Sequence, residues 1–120
     1  MRNPSPILSI TFGIFLLSTA ANAGDRKLTD PEIRAALSDH TLQGTGEDGK
    51  TWQQVFQESG ATFYSVGSAQ SQGQWTVRGD QYCSQWPPNE SWACYDMAEE
   101  AGTYVFISAS GRKTAGTVLN

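Results

Sequence analysis

From His40 to the end of the chain, short runs of β-forming residues are broken every few positions by turn residues, and this cadence limits the fold more than any other feature. Thr51–Phe56 follows the turn Glu47-Asp48-Gly49-Lys50 and stops at Glu58-Ser59-Gly60. Ala61–Val66 comes next, then a polar stretch, Gly67 to Gly73, that reads as a loop. Gly73–Arg78 alternates, with Trp75 and Val77 on one side and Thr76 and Arg78 on the other. Gly79-Asp80 turns the chain into Gln81–Trp86, Pro87-Pro88-Asn89-Glu90 breaks it, and Trp92–Met97 returns. Ala98 to Gly102 reads as a turn before the apolar run Thr103–Ser108, and a last strand follows Ser110-Gly111-Arg112 and ends near Leu119. Roughly seven or eight short strands with turn signals about every 8–12 residues indicate an all-β sandwich or barrel. Connections this short join antiparallel neighbours, because parallel pairing needs crossover segments that this sequence lacks. The expected fold class is therefore mainly β: a small antiparallel β-barrel or sandwich, wound as a meander.

One helix precedes the strands. In Leu28-Thr29-Asp30-Pro31-Glu32-Ile33, Thr29 can cap the first turn while Glu32 reaches back to its amide, and Leu28 against Ile33 supplies the hydrophobic staple. Pro31 falls in the first turn, where a missing N–H costs nothing. Ile33, Ala36 and Leu37 form one apolar stripe, and the helix is expected over about residues 30–38, ending at Ser38-Asp39-His40. Alone it is too short to be stable, so it must dock over an open end or edge of the sheet.

The N-terminus reads as an export signal. Arg2 is the only charge before Asp25, and Ile7 to Leu17 is an apolar run broken only by Ser9, Thr11 and Gly13. Such a run falls within the roughly 7–15 residues of a signal-peptide core and short of the about 20 needed to span a bilayer. Small residues follow, ending in Ala21-Asn22-Ala23, so cleavage is expected between Ala23 and Gly24. Residues 1–23 are then a signal peptide and residues 24–120 a single exported domain. This domain has no membrane span after cleavage and is periplasmic or secreted. Cys83 and Cys94 are the two cysteines of the chain. In an oxidising compartment they are most simply one disulfide. If the strands flanking Pro87-Pro88 pair as a hairpin with Trp86 opposite Ser91, Cys83 falls opposite Cys94 and Tyr82 opposite Tyr95.

Charge and motif content exclude more than they select. The chain has 8 Lys and Arg against 12 Asp and Glu, a formal net charge of −4, and loss of Arg2 with the leader makes it more acidic. Nucleic-acid binding, which needs a cationic face, is not expected. No metal site is expected, since His40, the one histidine, has no cysteine or histidine partner near it. His40 reads as a polar helix terminator. Glu47-Asp48 and Glu99-Glu100 lie in predicted turns and form no acid–base pair across a cleft. Gly44-Thr45-Gly46 precedes no helix, and Gly67 to Gly73 lacks the Lys of a phosphate loop. No catalytic residue and no cofactor are assigned. The aromatic residues are mostly core, with Trp86 and Trp92, on either side of the Pro-Pro loop, the candidate surface aromatics.

Taken together, Gly73-Gln74-Trp75, Tyr82-Cys83-Ser84-Gln85-Trp86 and Cys94-Tyr95 form a G-x-W … Y-C-x-x-W … C-Y pattern. It resembles small exported proteobacterial proteins that make up a family of domains of unknown function. The resemblance covers about residues 30–118 and implies an extracytoplasmic, disulfide-bearing β domain; it implies no activity. Small periplasmic lysozyme inhibitors are similar in general architecture, but their inhibitory loop motif is absent here. The function expected is a non-enzymatic binding module of the cell envelope, its partner an envelope protein, a glycan or a small apolar ligand. The alternatives are a small carboxylate-dependent hydrolase and a purely structural envelope protein.

Overall fold

The computed structural model describes residues 26–120; the leader and the Ala23–Gly24 cleavage position lie outside the described residues. Among the described residues, one helix, α1 (Asp30–Leu37), precedes eight strands. These are β1 (His40–Thr45), β2 (Thr51–Phe56), β3 (Ala61–Val66), β4 (Ala69–Arg78), β5 (Gln81–Gln85), β6 (Ala93–Glu100), β7 (Thr103–Ile107) and β8 (Lys113–Val118). Each strand pairs antiparallel with the next, and β8 returns to β1 through Leu42↔Val118 and Gln43↔Thr117, so the sheet closes into an up-and-down barrel. Closure removes the exposed edges that an open meander would leave for pairing with another chain. Among the described residues, no helix is long and apolar enough to cross a membrane.

The capping box forms, with the Glu32 carboxylate accepting from the Thr29 N–H at 2.9 Å. Four hydrogen bonds seat the helical segment on one end of the barrel. Leu28 N–H donates to Met97 O, Asp30 N–H to the Asp80 carboxylate, Arg34 Nη2 to Val77 O, and Asp39 N–H to Phe56 O. The side chains beneath follow from the alternation of the strands. Leu28, Ile33 and Leu37 meet Leu42, Phe56, Val77 and Met97, and five of these seven have no exposed surface at all. The helix thus fills one opening of the barrel with aliphatic side chains. The loops after β2, β4 and β6 lie at this closed end, and those after β1, β3, β5 and β7 at the other.

Three sequence expectations shift. His40 opens β1 rather than ending the helix, because Asp39 takes a left-handed φ of 61° that breaks the helical run. Residues 69–73 are strand rather than loop: their inward positions are the small Ala69, Ser71 and Gly73, facing Val66, Tyr64 and Thr62 on β3, and their outward positions are glutamines. Polar composition disguised a strand whose inner face had to be small. Glu99 and Glu100 belong to the end of β6, and the turn narrows to Ala101-Gly102, both at positive φ as a tight antiparallel hairpin requires.

The Cys83–Cys94 disulfide is present, joining directly opposed residues of β5 and β6 with Cα atoms 4.0 Å apart. Tyr82 lies opposite Tyr95, as the register requires. The expected Trp86–Ser91 pairing does not form. The ladder ends at Ser84↔Ala93, and the Pro-Pro loop closes on itself, with Asn89 N–H bonded to Trp86 O and Gln85 Nε2 to Glu90 O.

Candidate functional site

The mouth opposite the helix is not filled. It holds a cavity of about 330 Å3 lined by Trp52, Gln54, Tyr64, Ser71, Tyr82, Trp86, Pro87, Tyr95, Phe106 and Thr114. Strand alternation places these residues. Trp52 and Gln54 share the inner face of β2 with Phe56, Tyr82 and Ser84 share that of β5, and Phe106 on β7 lies across from Met97. None of the described residues that line the cavity is charged.

Two close approaches allow the large rings to enter. Trp52 lies over Gly44 and Gly116, where an added Cβ would fall 2.5 Å and 2.9 Å from the indole. Trp86 lies over Gly73, where a Cβ would fall 2.7 Å from its Cε3. A side chain at any of these positions would push a ring out of place. Trp86 is half-buried and turned inward by this seat, with its Nε1–H donating to Ser84 Oγ at 3.1 Å. It therefore lines the mouth of the barrel with part of its ring exposed. Trp92 stays on the outer wall, half-buried, with the Arg78 guanidinium 4.7 Å from its ring centroid. The two loop tryptophans thus separate, one to each face of the barrel.

The rings form walls. Trp52 and Tyr64 stack at 6.0 Å, Trp86 meets Tyr64 edge-on at 6.1 Å, and Tyr82 touches Tyr95 at 5.9 Å and Phe106 at 5.3 Å. Tyr82 is also the link to the packed end, edge-on to Phe56 at 5.7 Å. Burial pushes its phenol pKa up to about 12, with hydrogen bonds from Ser84 and Gln54 drawing it partly back. Burial also raises the pKa of Tyr64, and the Asp48 carboxylate adds to it. The Tyr82 and Tyr64 phenols therefore stay protonated at ordinary pH and act as neutral hydrogen-bonding groups.

The carboxylates and His40 lie elsewhere. Glu47, Asp48, Glu99 and Glu100 are exposed and none lines the cavity. Arg112 pairs with Glu47 at 3.3 Å, tying together two loops of the rim. His40 sits at the helix end of the barrel, its Nδ1 2.7 Å from Asn120 O, while the neighbouring Asp39 carboxylate accepts from Glu58 N–H instead. Asp39 and His40 therefore do not form a catalytic pair. Among the described residues, no group of three or more His, Cys, Asp or Glu is placed to hold a metal ion.

Gln54 is the residue that reading for chemistry passed over. It occupies an inward position between Trp52 and Phe56, so a polar side chain interrupts an otherwise aromatic stripe. That interruption was the available signal, since a buried amide must be hydrogen-bonded to something. No family model, no curated protein and no solved structure matches this chain.

Proposed function

We propose that the protein is an exported, non-enzymatic binding module of the cell envelope that holds one small, uncharged molecule in the mouth of its barrel. The cavity carries this reading: one end of the barrel is packed solid, while the other keeps about 330 Å3 open behind a wall of aromatic rings. Burying apolar area is the main favourable term available to so small a domain, so an unfilled, ring-lined opening forgoes stability that a ligand can restore. The volume lies near the lower end of the roughly 300–1,000 Å3 typical of small-molecule sites, which favours a molecule of one or two rings over a glycan chain or a protein segment. An uncharged lining favours an uncharged ligand, because an ion placed there loses its hydration with no partner to replace it. The export signal in the sequence and the Cys83–Cys94 bond support an oxidising compartment outside the cytoplasm.

The test is recovery of residues 24–120 from the periplasm of an expressing bacterium, followed by native mass spectrometry and calorimetric titration with naphthalene and related neutral aromatics. We expect saturable binding of one molecule per chain, weakened about tenfold or more when Trp86→Ala removes one wall, in line with the cost of losing a large aromatic contact. Absence of saturable binding across the set, with no co-purifying small molecule, sinks the proposal.

A further inference from the structure

The hydrogen bonds around Gln54 narrow the ligand class, resting on the reading that the mouth binds a small neutral molecule. The Thr62 hydroxyl donates its one proton to Val55 O at 2.8 Å, so toward Gln54 it can only accept. This fixes the orientation of the Gln54 amide: Nε2 faces Thr62 Oγ1, at 2.9 Å, and also reaches the Tyr82 oxygen, at 3.1 Å. Both amide protons are thereby used on the wall of the barrel. The carbonyl oxygen Oε1 has no donor among the described residues, although Gln54 lines the cavity. Tyr82 is in the complementary position. Its oxygen accepts from Gln54 Nε2 at 3.1 Å, and the nearby Ser84 hydroxyl accepts the Trp86 N–H. The Tyr82 hydroxyl donates to no acceptor among the described residues, and its side chain is 4% exposed and lines the same cavity. The inner wall thus offers one free acceptor and one free donor on neighbouring residues.

We infer that the cavity is shaped for a flat, uncharged ring that carries a hydrogen-bond donor beside an acceptor, the pattern of a cyclic amide. The ring N–H would donate to Gln54 Oε1 and the carbonyl would accept from the Tyr82 hydroxyl. The stacked pair Trp52–Tyr64 and the tilted pair Tyr82–Tyr95 supply walls for the flat faces. A site with buried hydrogen-bonding groups discriminates strongly against an analogue that leaves them unpaired.

The experiment compares two fused-ring probes of similar shape by calorimetry: 2-quinolinone, which carries the donor–acceptor pair, and naphthalene, which carries neither. Two neutral hydrogen bonds predict about tenfold or more in favour of 2-quinolinone. Gln54→Leu should collapse that preference while naphthalene still binds, which also shows that the variant is folded. Tyr82→Phe provides an independent variant with the same expected loss of preference. Equal affinity of the two probes in the unaltered protein overturns the ligand class and leaves the binding reading standing. Preferential binding of tetramethylammonium also overturns it, making the rings a cage for a cation. Failure of every probe to bind counts against the binding module itself.

Discussion

At the helix end of the barrel, Ile33, Leu37, Leu42, Phe56 and Met97 have no exposed surface, and the space between them is filled. At the mouth, Tyr64, Trp86 and Tyr95 are each half-buried and face a space that no described side chain fills. The same eight strands form both ends, so backbone architecture does not account for the difference. Side-chain kind does. Branched and flexible aliphatics interdigitate around the Phe56 ring, whereas rigid rings seated over Gly44, Gly73 and Gly116 stand against the wall and leave the middle open. The packed end holds the fold together, and the ringed end is available for recognition.

The largest effect that tests this contrast comes from one truncation at each end. Phe56→Ala removes a fully buried ring from the packed end and should cost about 3–5 kcal/mol in urea unfolding, with naphthalene affinity unchanged in the fraction that remains folded. Trp86→Ala at the mouth should cost well under half as much stability, because its ring already borders open space, and should act on binding instead. Similar losses of stability from both variants would mean that the mouth is core after all.

The disulfide ranks next. Cys83 has no exposed surface, and the bond closes a short loop that carries Trp86 and Pro87 at the rim. Replacing both cysteines with serine should cost about 3 kcal/mol in the loop-entropy model. The comparison is sharpened by where the loss is felt. Amide hydrogen exchange should rise first in residues 82–95, around the mouth, and last in β1 and β2 near the helix. Uniform acceleration across the barrel would show that the staple serves the whole fold rather than the ringed end.

How much of this the sequence carried follows from the range of each interaction. Strand and turn cadence, the capping box at Thr29 and Glu32, and the Cys83–Cys94 register are set by residues near one another in the chain, and all were legible. Closure of the sheet depends on Leu42 meeting Val118 at the far end of the chain, so the sequence left barrel and sandwich open. The strand at residues 69–73 was hidden because its inner face is small to suit Tyr64 and Trp86, a requirement set by other strands. The cavity was the least legible feature. It consists of side chains that fail to meet, and periodicity records which face a residue takes, not how far it reaches. Gln54 gave the one local hint, a polar residue on an aromatic face.

Tyr82 belongs to both ends, its ring against Phe56 and its hydroxyl on the cavity, so its titration gives the finest test of where one region stops and the other begins. In the folded protein burial pushes the Tyr82 phenol up to about 12, above its ordinary value of 10.0. Between those values the unfolded chain has lost the proton while the folded chain keeps it, so the folded state binds more protons and stability falls as pH rises. The contribution is fully present below pH 10 and lost by about pH 12, on the order of 2–3 kcal/mol. Tyr64 and Tyr104, also raised by burial, act in the same direction. Tyr82→Phe should flatten the alkaline limb of the stability curve relative to the unaltered protein, because Phe has no proton to lose. A bound cyclic amide whose carbonyl accepts from the Tyr82 hydroxyl should move the alkaline midpoint further up, since it favours the protonated phenol. If Tyr82→Phe leaves that limb unchanged, the hydroxyl is as well solvated in the folded barrel as in the unfolded chain, and the packed end must stop at Phe56.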